Sequence, residues 1–327
     1  ISSRTNYIAS NLFAEFEDFY KEKHYYKMMV GANYEESEFS RLFARRDGLL
    51  FPDAEDLNLA IGENMSIQGG YEKWRTLGSF FRLNYIFDNR YLLEINGRYD
   101  GSSKFPTYER FAFFPSVSLG WRITDEPWWN ISERIFSDIK LRGSYGSLGN
   151  GNIGSYRFQE LYSVGTQHPR VLGGTRPSYT SLPTILPDGL TWETSTSQNV
   201  GLDISFISSK LHFVGDAYIR KTTDMFTTGP TLPAVFGAAP PRGNYADLET
   251  KGWEMTLNWS DNFSVKNKFL NYSIRLNLSD NTSKILKYNN PDKRLTDYYE
   301  GQTIGEIWGY VTEGLFTSLT EIENHAD

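Results

Sequence analysis

The sequence predicts an all-β fold, a transmembrane antiparallel β-barrel to which these 327 residues contribute about ten strands. Three observations carry this. Apolar and polar residues alternate with period two along most of the chain, the pattern of a strand with one apolar and one polar face. Short and long connections alternate between those runs. Aromatic residues gather at the ends of the runs, where a barrel meets the two membrane interfaces.

The clearest strands are four. Tyr91, Leu93, Ile95 and Tyr99 alternate with Glu94, Asn96, Arg98 and Asp100, and Val200, Leu202, Ile204 and Phe206 with Asn199, Gly201, Asp203 and Ser205. Trp253, Met255, Leu257 and Trp259 alternate with Glu254, Thr256 and Asn258, and Leu270 to Leu278 shows the same pattern, setting Ile274 and Arg275 on opposite faces. Noisier alternation covers 7–17, 24–34, 76–87, 111–123, 139–147 and 211–223. Runs of roughly 9 to 12 residues suffice for a tilted strand to cross a bilayer.

Alternation alone fits a soluble sandwich equally well, because both architectures have one wet and one dry face. The connections favour the barrel. Asp88-Asn89-Arg90 and Ser208-Ser209-Lys210 carry tight-turn chemistry. Residues 18–23 and 261–268 are short, and 124–138 is moderate, with a helical turn expected around Trp129 to Phe136. Long stretches fall between them, at 35–75, 101–110, 148–195 and 224–249, with a further loop expected at 281–327. Membrane barrels show this parity because one rim needs only turns while the other carries function.

Composition agrees. The chain is rich in Tyr, Phe, Trp and Gly yet 22% charged, and no window offers the roughly 18 to 20 apolar residues of a membrane helix. The absence of Cys removes disulfides, thiolate metal sites and a cysteine nucleophile, and a net charge of -7 argues against nucleic acid. The chain starts at Ile1 without a signal sequence and stops in loop-like composition, so an internal segment is expected.

No catalytic motif is expected to act. Gly149-x-Gly151-x-x-Gly154 matches a dinucleotide fingerprint, but no helical period follows to hold a pyrophosphate; positive φ angles in a loop are the expected use of these glycines. His24, His168, His212 and His325 are scattered, with no i, i+4 pair for zinc. Asp47, Asp53, Glu55 and Asp56 form an acidic knot of the kind that can hold Ca²⁺, although its spacing fits no EF-hand loop and a solvated acidic loop is the preferred reading; no other cofactor is expected. The proline-punctuated stretch 229–243 reads as a stiff loop. Tyr71, Trp74, Tyr108, Arg110, Tyr156, Arg157, Tyr162, Arg242 and Tyr245 are candidates to contact sugars or peptides from the loops, against ordinary loop packing as the alternative for each.

Several blocks resemble the SusC/RagA family of TonB-linked outer-membrane transporters. They run from Gly97 to Phe105 (GRYDGSSKF), Phe113 to Ile123 (FFPSVSLGWRI), Ser137 to Gly146 (SDIKLRGSYG) and Gly149 to Tyr156 (GNGNIGSY). Tyr218 to Asp224 (YIRKTTD), Leu232 to Gly237 (LPAVFG), Asp247 to Glu254 (DLETKGWE) and Gly305 to Tyr310 (GEIWGY) continue the series in family order. The resemblance implies a 22-stranded barrel closed by a plug domain, in the outer membrane of a Gram-negative bacterium of the Bacteroidota. It also implies a SusD-like surface lipoprotein as lid, the TonB complex as energy source, and an oligosaccharide or oligopeptide as cargo. Lipid and lipopolysaccharide would surround the barrel, and transporter–lipoprotein pairs could dimerise. The plug and the remaining strands have no counterpart in these residues. A soluble β-rich carbohydrate-active enzyme or binding module is the alternative function, and a passive porin a third.

Overall fold

The computed structural model describes residues 1–53, 56–165, 167–187, 189–265, 268–312 and 314–325. Ten strands form one antiparallel sheet: β1 (Ser2–Tyr20), β2 (His24–Arg46), β3 (Met65–Phe87), β4 (Tyr91–Ser102), β5 (Phe111–Arg122), β6 (Phe136–Asn150), β9 (Glu193–Phe206), β10 (Leu211–Thr228), β11 (Arg242–Val265) and β12 (Lys268–Lys287). Each pairs with its neighbour in the chain, so the sheet is a meander. Two two-residue strands, β7 (Val164–Gly165) and β8 (Tyr179–Thr180), make a small ladder inside the connection between β6 and β9.

Register converts the alternation into two chemically distinct faces, because side chains directly opposite one another share a face. One row runs Lys27, Asn84, Glu94, Ser118, Ser144, Asn199, Tyr218, Gly252, Asn281 across nine strands. The adjacent row on the other face runs Leu93, Leu119, Gly143, Val200, Ala217, Trp253. Ile274 and Arg275 fall on the apolar and polar faces, opposite Trp259 and Asn258.

Among the described residues no second layer covers the apolar face. Leu119 is 60% exposed, Val200 63% and Ile274 64%. A soluble sandwich would bury these side chains against another sheet; a barrel wall turns them toward lipid. The sandwich alternative is thereby set aside.

The two ends of the sheet differ. At one, the connections are 21–23, 88–90, 123–135 and 207–210, and at the other they are 47–64, 103–110, 151–192 and 229–241. Lys21 and Glu22, and Asp88 and Asn89, all have φ between 51° and 56°, the paired left-handed conformation whose twist matches that of the flanking strands. The tip of the turn expected at 261–268, residues 266 and 267, lies outside the described residues.

Several expected boundaries are corrected. The stretch 35–75 is strand as far as Arg46 and again from Met65, and 148–195, 224–249 and 281–327 likewise narrow to 151–192, 229–241 and 288–327. The period-two signal is lost there because each face of these strand extensions mixes polar and apolar residues, as Phe39 and Arg41 or Ser40 and Leu42 do, yet the β2–β3 ladder continues unbroken from His24↔Phe87 to Arg46↔Met65. The helical turn expected around Trp129 to Phe136 is a single turn at its end, where the Ser132 carbonyl accepts from Ile135 N at 2.8 Å and Phe136 N at 3.2 Å, and Phe136 already begins β6.

Aromatic rings line the turn end. His24 lies 5.0 Å from Phe87 between ring centroids, Phe87 6.2 Å from Tyr91, Trp121 6.5 Å from Trp128, Trp129 6.2 Å from Phe136, and Phe136 5.2 Å from Phe206. Glu126 fastens this belt from within the 123–135 connection. Its carboxylate accepts from Tyr91 Oη at 2.5 Å, Trp121 Nε1 at 2.9 Å and Arg90 Nη1 at 2.8 Å, and is 7% exposed. Those three donors hold its pKa below the ordinary carboxylate range, the Tyr91 hydroxyl first.

Candidate functional site at the loop end

The loop end begins where two ladders part. The β5–β6 ladder stops at Ser116↔Gly146, whereas β4–β5 continues to Gly101↔Phe111 and β6–β9 to Asn150↔Glu193. Phe114, just beyond that point on β5, joins Phe105, Ile153, Leu190 and Trp192 in a buried apolar cluster. Trp192 stacks 4.7 Å from Phe105 and meets Phe114 edge-on at 5.6 Å, while its Nε1 donates to the Arg110 carbonyl at 3.3 Å. The cluster thus ties the 103–110 loop to both ends of the 151–192 loop.

This cluster explains the dinucleotide-like glycines and corrects their expected role. A Cβ at Gly149 would collide with the Phe114 ring, and one at Gly151 would lie 2.9 Å from the Trp192 ring. Neither has a positive φ; the left-handed residue of this segment is Tyr156, at 64°. The glycines serve close packing of rings against backbone.

Tyr156 in turn docks the long loop on β3. The β3–β4 ladder ends at Thr76↔Ser102, so the Lys73 backbone has no strand partner on that side. Tyr156 Oη accepts from Lys73 N at 3.0 Å and donates to Lys73 O at 3.3 Å, acting in place of a neighbouring strand. Ser155 Oγ donates to Glu72 Oε1 at 2.8 Å beside it. At the loop's other end, Asn244 on β11 accepts from Thr191 N and donates to Thr191 O, each at 3.0 Å.

Between these anchors lies a cavity of about 600 Å³, whose lining includes Tyr71, Glu72, Tyr156, Arg157, Pro241 and Arg242. Four of the nine sequence candidates meet here: Tyr71, Tyr156, Arg157 and Arg242. Arg242 also lies over the Phe226 ring at 5.1 Å. The other five sit elsewhere. Trp74 packs 6.4 Å from Tyr7, with Lys104 over its ring at 5.2 Å. Arg110 is a structural residue through its carbonyl, and its buried Nε has no hydrogen-bond partner among the described residues. Tyr245 fills the space beside Gly229 and Gly243 at the root of the proline loop. Tyr108 and Tyr162 are 76% and 61% exposed, outside the cavity.

Of the acidic knot, Asp47 pairs with Arg45 at 3.2 Å, Asp56 caps the short 3-10 turn 57–59 by accepting from Asn58 N, and Glu55 lies outside the described residues. Among the described residues no group of three or more acidic or histidine side chains is arranged to hold a metal ion.

Sequence reasoning missed the charge network on the polar face. Arg142 donates to both Asp216 oxygens, at 2.7 and 2.6 Å, and to Asp203 at 3.0 Å. A Cβ at Gly201 would strike the Arg142 guanidinium, so glycine makes room for it. The residues were visible as polar members of three strands; which strands would be neighbours was not.

A single-layer meander with an exposed apolar side, a polar lining and elaborate loops at one rim is the wall of a membrane β-barrel. A family model described as TonB dependent receptor-like, beta-barrel matches residues 3–312, and the chain belongs to that family. Among curated relatives, the TonB-dependent receptor P3 of Formosa agariphila is 28% identical over 90% of this chain and 30% of its own length. The TonB-dependent receptor SusC of Bacteroides thetaiotaomicron is 33% identical over 71% of this chain and 23% of its own. Among solved structures, the RagAB peptide transporter superposes with a TM-score of 0.77 at 26% identity, over 88% of this chain and 31% of that one. The chain therefore spans less than a third of the length of these relatives.

Proposed function

We propose that this chain is a section of the barrel wall of a TonB-dependent importer of oligosaccharides or oligopeptides in the outer membrane of a Gram-negative bacterium. The observation that carries the proposal is the division of labour along the sheet: a lipid-facing wall with a hydrogen-bonding lining, topped by loops that are locked together around a cavity. In this reading the tight turns face the periplasm and the loops face outside, where a SusD-like lipoprotein covers them and cargo is held between the two. The relatives support it, since they include SusC and a chain of the RagAB peptide transporter. A plug domain and TonB contact, supplied by other parts of the protein, would drive release into the periplasm.

The test is uptake by cells carrying the full-length gene, with and without TonB, after locating the protein by fractionation. Outer-membrane recovery, co-purification of a lipoprotein and TonB-dependent accumulation of an oligomer are expected. Recovery in the soluble fraction, or uptake indifferent to TonB, sinks the proposal.

A further inference from the structure

The charged groups lining the loop-end cavity do not balance. They are Glu72, Arg157 and Arg242, and Glu72 is engaged by the Ser155 hydroxyl. Neither arginine makes an ion pair among the described residues. Several arginines of the wall and its turns are matched, Arg90 with Asp88 and Glu126, Arg98 with Asp100, Arg142 with Asp203 and Asp216; what sets Arg157 and Arg242 apart is that two unpaired arginines line one cavity. Arg157 and Arg242 are also solvent-exposed, so both can reach a ligand.

Each is positioned by its surroundings. Gly154 leaves the space that the Arg157 side chain occupies, since a Cβ there would lie 3.1 Å from Arg157 Nε. The Phe226 ring holds the Arg242 guanidinium. The planar guanidinium fork matches a carboxylate in a way that a lysine ammonium does not. The exposed ring of Tyr71 offers an amphipathic wall beside them.

From this we infer that the cavity recognises a carboxylate carried on the cargo, with Arg157 and Arg242 as its two donors. The inference rests on the importer reading and narrows its cargo to acidic oligomers. A carboxylate of this kind occurs on a uronic-acid sugar or on an acidic peptide, and the experiment separates the two.

Full-length transporter, purified in detergent with its lipoprotein, is titrated with four probes: tetragalacturonate, its carboxyl-reduced neutral form, tetraglutamate and tetraglutamine. At least one carboxylated probe is expected to bind about tenfold or more tighter than its neutral counterpart. The double variant Arg157→Gln/Arg242→Gln should abolish that preference and leave neutral probes unchanged. The charge-retaining Arg157→Lys/Arg242→Lys should keep part of it. Equal affinity for charged and neutral probes in the unaltered protein overturns the inference, whether or not the variants fold; so does an undiminished preference in the glutamine variant. TonB-dependent uptake is scored separately. Loss of uptake with charge-selective binding intact counts against the importer reading alone, and uptake with charge-blind binding counts against the carboxylate site alone.

Discussion

The wall and the loop end of this molecule are built for different solvents. Along the wall, apolar side chains such as Leu119 and Val200 remain largely exposed; order comes from continuous backbone ladders, with lipid as the missing half of the core. At the loop end the ladders part, and Phe105, Phe114, Ile153, Leu190 and Trp192 make a small dry core of the ordinary soluble kind. One chain therefore carries two independent stabilising principles. Damage to one should leave the other standing.

The largest effect is expected from Trp192→Ala, which empties the centre of the loop cluster. Replacing a buried tryptophan by alanine costs about 3–5 kcal/mol, more than a few side-chain hydrogen bonds can restore. Limited proteolysis of the full-length protein should then cut within 151–192, while the barrel keeps its resistance to heat and detergent on a gel. Collapse of the whole barrel would show that the two regions are not separate.

The converse experiment attacks the wall. Leu276 faces lipid, opposite Leu257, and Arg275 faces the polar lining, opposite Asn258. Leu276→Arg should cost about 2–4 kcal/mol in refolding into bilayers, the range for an arginine facing the membrane interior. Arg275→Leu should cost clearly less, and neither should expose the 151–192 loop to protease. Equal costs would mean that the two faces do not meet different solvents, and a reversed order that they are assigned the wrong way round.

A smaller effect belongs to the turn end. Glu126 has its pKa held down by the Tyr91, Trp121 and Arg90 donors, so its stabilisation is present above the ordinary carboxylate pKa and disappears as pH falls through the lowered folded value. Glu126→Gln should melt at a lower temperature than the unaltered protein at neutral pH. The gap should close in acid, as the carboxyl of the unaltered protein becomes neutral. A gap independent of pH would assign the loss to packing rather than to charge.

How much of this was legible in the sequence divides along the same line. The wall was readable because a strand facing lipid and a wet lining must alternate, as Leu270 to Leu278 does. Strand extensions such as 35–46 and 65–75 were read as loop because outside the bilayer nothing obliges alternation, and only the pairing of β2 with β3 identifies them. At the loop end, residue type named Tyr71, Tyr156, Arg157 and Arg242, but the contacts that unite them join residues 83 positions apart, as Tyr156 and Lys73 do. Trp192 and the glycines at 149 and 151 escaped a correct role for the same reason: each serves a partner ring far away in the sequence, Phe105 for Trp192, Phe114 for Gly149 and Trp192 for Gly151.

The finest division between wall and loop end is the Tyr156 hydroxyl, a single oxygen that both accepts from and donates to the Lys73 backbone where β4 has already turned away. Tyr156→Phe keeps the ring and removes both hydrogen bonds, leaving the Lys73 amide to find water. Each such bond is worth about 0.5–1.5 kcal/mol net, so the dry cluster should hold and global melting should barely move. Local opening is another matter: hydrogen exchange at the Lys73 amide and across 153–159 should quicken several-fold, since a loss of this size is felt first in the least stable unit. If exchange there is unchanged, the loop is carried by the Trp192 cluster alone, and the boundary between the two regions lies on β5 rather than on β3.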